Sequence, residues 1–132
     1  MNSKDSSLAV KGFVMDDSKV LVLTKPSGEI DFPGGCVEEG ENHKACLKRE
    51  LKEETGLTDV EIHEVVVTWH FLRKMKTPIK VFVYRCVYKG GKIELSAEHR
   101  KFYWMEIGGI MQILSNCANR ILDDDKLLNA ST

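Results

Sequence analysis

The stretch GGCVEEGENHKACLKRELKEETGL, residues 34–57, runs from a paired glycine into a segment crowded with acid. From Asn42 to about Thr55 the residues are mostly Lys, Glu, Leu and Ala, which favour helix, and Gly56 stands where a left-handed cap would end it. At about 100° per residue, Glu50, Glu53 and Glu54 fall within an arc of about 100° on one side of that helix. Leu47 and Leu51 form the neighbouring apolar stripe, and Lys44, Lys48 and Lys52 lie beyond it. The acids are therefore segregated from the lysines instead of alternating with them in the i, i+4 ladder of a solvated helix. Carboxylates held this close raise each other's pKa and weaken the helix unless a cation sits among them. A hard divalent ion, Mg²⁺ or Mn²⁺, suits such oxygen ligands and takes up substrate phosphates as well. Arg49, at the edge of the arc, can fix one carboxylate through a bidentate pair and leave the others for metal. For the helix alone, a merely solvated charged face is the commoner meaning.

Working outward, LAVKGFVM (8–15) and KVLVLTK (19–25) are separated by the turn cluster DDS and read as a strand hairpin. IDFPGG (30–35) is a short strand broken by Pro33 and its glycines, where a loop begins. That Pro-Gly-Gly turn allows backbone to approach an ion or a phosphate closely. Beyond the helix, VEIHEVVVTWHFLR (60–73) and IKVFVYRCVYK (79–89) are long β-type runs joined by a turn at KMKTP. In the second run Ile79, Val81, Val83 and Val87 share one face, and Lys80, Phe82, Tyr84, Cys86 and Tyr88 the other, as in a central strand covered on both sides. KIEL (92–95) is a short strand or loop edge, and FYWMEI (102–107) a brief apolar segment. Ile110, Ile113 and Leu114 have helical spacing, predicting a closing helix within 108–128. One α+β domain over 1–132 accommodates these elements as a mixed sheet flanked by helices, with a polar tail at 1–7 and another from about 123 to 132.

Composition narrows the partners. A chain of 132 residues is large enough for one core, and 42% hydrophobic with 30% charged residues is ordinary for a globular protein. No apolar run approaches the roughly 20 residues that cross a bilayer. A formal net charge of -1 gives no field for a nucleic acid polymer, which leaves small ligands. The polar N-terminus lacks the pattern of a secretory signal, so a cytoplasmic location is expected. Cys36, Cys46, Cys86 and Cys117 form no C-x-x-C pair, which argues against structural zinc and for free thiols.

Gly35, Glu41, Arg49, Glu50, Leu51, Glu53, Glu54, Gly56 and Leu57 fit the pattern G-x5-E-x7-R-E-U-x-E-E-x-G-U, where U is aliphatic. In this the chain resembles the Nudix hydrolase family, whose box it matches at every defined position. Nine fixed residues at fixed spacing are far more specific than a lone glycine motif. SAEHRKFYWMEI also resembles the segment where many members place another glutamate before a tryptophan. The resemblance implies a Nudix-type α/β/α sandwich that hydrolyses a nucleoside diphosphate linked to another group, with Mg²⁺ or Mn²⁺. It implies metal ligation by Glu50, Glu53 and Glu54 and, as in some members, by the Gly34 carbonyl. Arg49 would orient Glu50, Glu53 would add base function to ligation, and Glu98 would be the rival base. A nucleoside or deoxynucleoside triphosphate is the first substrate, with dinucleoside polyphosphates and ADP-ribose as alternatives. A nucleotide-binding domain that does not cleave is the reading from another class, although such domains usually lack box glutamates. Members are monomers or homodimers.

Other residues carry weaker signals. Cys36 and Cys46 read as small packing residues, because thiolate is a poor partner for Mg²⁺. His70 and His99 read as structural before they read as phosphate or proton-transfer groups. The RKMK turn at 73–76 suits either a solvated tip or a triphosphate clasp, and the DDDK run at 123–126 a soluble helix end or tail before it suits a metal site. Phe32, Trp69, Phe71 and Tyr103 are base-stacking candidates whose commoner role is core packing. No substrate-binding residue follows from the box, because base, sugar and leaving group are read elsewhere in the fold.

Overall fold

The computed structural model describes residues 8–72, 78–110 and 126–131. Strands β1 (Leu8–Asp16) and β2 (Lys19–Thr24) form the expected hairpin, with Met15 opposite Val20 and Asp17 turning the chain at φ 56°. Strand β3 (Ile30–Asp31) pairs with the far end of β2. The Pro-Gly-Gly stretch then departs from the loop expected there. Gly34–Cys36 is a strand, β4, antiparallel to the first half of β1, with Gly34 opposite Lys11. It pairs because Gly34, at φ 150°, carries no Cβ, which would overlap the Val10 carbonyl oxygen.

Helix α1 (His43–Thr55) ends at the predicted Gly56 cap, and Asn42, the first residue of the predicted span, stands outside it as the N-cap. The Asn42 side chain accepts from Ala45 N–H, and Gly56 closes the helix at φ 76°. Strands β5 (Glu61–Leu72) and β6 (Ile79–Val87) pair antiparallel, and β6 runs parallel to β1 from Leu8 opposite Lys80 to Met15 opposite Val87. β6 is therefore central, between β1 and β5. KIEL belongs to the irregular segment 88–100, and β7 (Lys101–Glu106) lies along the outer edge of β2. The closing helix begins at 107–110, and its predicted continuation through Ile113 and Leu114 lies outside the described residues. Lys126–Ser131, expected as helix end and tail, forms β8 against β5, whose outer edge would otherwise present unpaired backbone groups.

The mixed sheet buries both faces, as an α+β sandwich requires. Val10, Val14, Leu21, Leu23 and Cys86 meet Leu47 and Leu51 of α1 on one side. Val20, Val22 and Phe32 meet Ile110 on the other. The alternation of β2 thus supplies both cores, Leu21 and Leu23 to one and Val20 and Val22 to the other. No helix among the described residues is long and apolar enough to cross a membrane.

Candidate active site

Docking of Leu47 and Leu51 on the sheet fixes the rotation of α1, and the acidic arc then spans from interior to solvent. Glu54 is buried, with 5% of its surface exposed. The Glu50 side chain is 15% exposed and that of Glu53 58%. Three carboxylates of one arc therefore meet three different environments.

Arg49 bridges two of them, Glu50 and Glu53, to the loop before the helix. Its Nε and one terminal nitrogen donate to the two Glu41 oxygens at 2.8 and 3.1 Å, a bidentate grip. The other terminal nitrogen donates to Glu50 at 3.0 Å and Glu53 at 3.3 Å. The bidentate partner is thus Glu41, from the loop before the helix, while Glu50 receives a single bond. Glu38 also lies 3.7 Å from the guanidinium. The Arg49 hydrogen bonds hold the Glu41 carboxyl down at about 2. The role of Glu41 was absent from the reading of the helix face because it belongs to the preceding loop. Its position eight residues before Arg49 in the motif was the available signal.

The glycines before the helix make room for these acids. A Cβ on Gly35 would lie 2.6 Å from Glu50 Oε1, so only glycine lets that carboxylate rest over the strand. Gly34 N–H donates to Glu54 Oε1 at 3.3 Å. Burial, followed by a hydrogen bond shared with Glu50, pushes the Glu54 carboxyl up to about 8, against the opposing pull of Lys11 and of Gly34 N–H.

Among the described residues no three His, Cys, Asp or Glu side chains converge tightly enough to hold a metal by themselves. The cation in contact with Glu41, Glu50 and Glu53 is the Arg49 guanidinium. Glu50 and Glu54 are nonetheless a close pair of hard oxygen donors whose mutual repulsion is relieved by a proton, and this is donor chemistry that a divalent ion fits. The thiol of Cys46 is buried beside them and donates to the Cys36 carbonyl at 3.4 Å. Burial pushes it up to about 12, so it offers no thiolate.

A second polar cluster, unexpected from the sequence, adjoins the first. Lys11 Nζ donates to Asp31 Oδ1 and to the Phe32 carbonyl, both at 3.1 Å. Asp31 Oδ2 lies 3.2 Å from Nε2 of the buried His99. Burial alone would raise the Asp31 carboxyl, but Lys11 and the His99 hydrogen bond outweigh it and hold it below its ordinary range. Lys11, Asp31 and His99 are far apart in sequence, and only the folded sheet with the irregular segment 88–100 laid against it brings them together.

Glu98 is exposed within the segment 88–100. Of the aromatic candidates, Phe32 is buried and packs on Phe13 at 5.5 Å, and Trp69 is partly buried in the same core. Tyr103 is 46% exposed on β7. His70 is partly buried on β5. The side chain of Phe71, the RKMK turn, Cys117 and residues 123–125 of the DDDK run lie outside the described residues. The described cysteines, Cys36, Cys46 and Cys86, are free thiols.

The chain matches the NUDIX domain over residues 5–122. It is 28% identical over 120 residues to a MutT-like protein of Streptomyces ambofaciens, covering 89% of this chain and 75% of that one. Among solved structures it superposes on the MutT protein from Methanosarcina mazei Go1 with a TM-score of 0.70 at 23% identity, covering 81% of each chain. It superposes on a C. elegans Ap4A hydrolase binary complex with a TM-score of 0.69 at 24% identity, covering 83% of this chain and 86% of that one.

Proposed function

The chain belongs to the NUDIX domain family and is a hydrolase of that family, and from that premise we propose that it cleaves the pyrophosphate linkage of a nucleoside or deoxynucleoside triphosphate with Mg²⁺ or Mn²⁺. The observation that carries the proposal is the placing of two carboxylates on the paired glycines, Glu50 against Gly35 and tied to Arg49, Glu54 held by Gly34 N–H. Glu50, Glu53, Glu54 and the Gly34 carbonyl would hold the ion. Once bound, a divalent ion polarises phosphate oxygens and acidifies the attacking water.

The protein's own groups do the rest. Arg49 locks Glu41 and steadies Glu50, so the carboxylates keep their places as substrate charge arrives. Gly34 N–H orients Glu54. Glu53, the most exposed of the three, can reach a water on the substrate side and accept its proton, and Glu98 on the neighbouring segment is the rival for that role. The substrate is a free nucleotide and not a nucleic acid polymer, and the protein acts in the cytoplasm as a single domain, monomeric or homodimeric.

The test is a nucleotide panel with each metal, with products separated by chromatography. A monophosphate with pyrophosphate supports the triphosphate reading, and AMP with ribose phosphate redirects it to ADP-ribose. Cleavage of dinucleoside polyphosphates is the second reading, supported by the likeness in fold to the C. elegans Ap4A hydrolase. Glu53→Gln is expected to lower kcat by about 100-fold or more while the fold stays intact. Binding of a nucleotide by the wild-type protein with no turnover of any would identify a non-catalytic domain instead.

A further inference from the structure

We propose that His99 and Asp31 are positioning residues that fix Glu98 at the active site; the inference rests on the reading of Glu98 as a group that serves the reaction. Glu98 lies in an irregular segment that leaves β6 and returns as β7. That segment is tied to the end of α1 by two backbone bonds, Glu94 N–H to the Thr55 carbonyl at 2.9 Å and Ser96 N–H to the Glu54 carbonyl at 3.2 Å. It is tied to β2 by Arg100 N–H to the Thr24 carbonyl at 2.8 Å. Between these ties the His99 side chain turns inward and meets Asp31, while Glu98 stays exposed. Glu98 is thus held from both sides, through Ser96 on the backbone of Glu54 and through His99 on β3.

The far end of the His99 tie is also anchored at the site. Asp31 accepts from Lys11, and Lys11 stands opposite Gly34, whose N–H holds Glu54. The choice of histidine itself argues for the bond. His99 is 7% exposed, and among the described residues its Nδ1 has no hydrogen-bond partner, so placing an imidazole there carries a polar cost. Leucine would fill the same space without that cost. What histidine adds is the bond from Nε2 to Asp31, which sets where the segment crosses the sheet.

The test is a double-mutant cycle in the full-length protein with Mg²⁺ and the best substrate of the nucleotide panel. Glu98→Gln should lower kcat about tenfold or more with little change in KM. His99→Leu and Asp31→Asn should each lower kcat by about tenfold, and His99→Gln, which keeps an N–H donor, should recover most of the loss. In the Glu98→Gln background, His99→Leu or Asp31→Asn should cost less than about twofold more, because both act through the same carboxylate. If His99→Leu does not fold, as seen by circular dichroism, Asp31→Asn carries the cycle and His99→Gln serves as the conservative control. Fully additive losses, or wild-type kcat in a folded Asp31→Asn protein, would overturn the proposal. A Glu98→Gln protein with unchanged kcat would instead remove the reading of Glu98 and the inference with it.

Discussion

Gly34 and Gly35 are neighbours with separate duties, and alanine separates them. At Gly35 the added methyl meets the movable end of Glu50, so Gly35→Ala should keep stability within about 1 kcal/mol. Its activity should fall about tenfold or more, because the displaced carboxylate loses its orientation. At Gly34 the methyl meets the backbone of β1, and Gly34→Ala should cost about 3 kcal/mol or more. Urea unfolding of the two variants, with kcat measured in parallel, checks both. Titration divides the acids in a similar way. Glu41 falls from its ordinary 4.5 to about 2 in the native state, so its contribution is complete above 4.5 and is lost as pH drops towards 2. Glu54 rises from 4.5 to about 8, so the native state keeps a proton that the unfolded chain has released, and stability falls as pH climbs through that window. Metal-free urea midpoints across pH should show both slopes. Glu41→Gln should flatten the acid limb and Glu54→Gln the alkaline one; unchanged limbs would refute the assignments.

For the elements, the span of helix α1 and its Gly56 cap were legible, because composition and a glycine stop act locally, whereas the Asn42 cap emerged with the fold. Asn42→Ala should cost about 1 kcal/mol by thermal unfolding, through loss of the Ala45 N–H acceptor. The rotation of the helix was legible in outline, since Leu47 and Leu51 had to face a core. Its consequence was not, because the burial of Glu54 depends on how closely β4 approaches. That approach is hidden from the sequence: glycine ordinarily weakens a strand, and nothing in residues 33–36 reveals that β1 passes close enough to require it there. Glu41 escaped the helix reading for a related reason, since angular position on a helix says nothing about a loop residue folded back onto Arg49.

At the scale of the whole molecule, the central place of β6 followed from its two apolar faces, whereas its parallel alignment with β1 did not, because alternation carries no strand direction. The Lys11–Asp31–His99 cluster was hidden for a related reason: three polar residues distant in sequence meet only when β1, β3 and the irregular segment before β7 are assembled. The β1–β6 alignment joins residues about 70 positions apart, and contacts that distant form slowly. A chain growing from the ribosome completes the nine-residue signature at Leu57, long before Val87, the last partner of β1, has been made. The nascent protein therefore passes through a stage in which the whole motif has been synthesised while β1 still lacks one of its edges. Competence arrives with sheet closure and not with the motif, and a fragment ending soon after α1 would carry the family signature without the platform that arranges it.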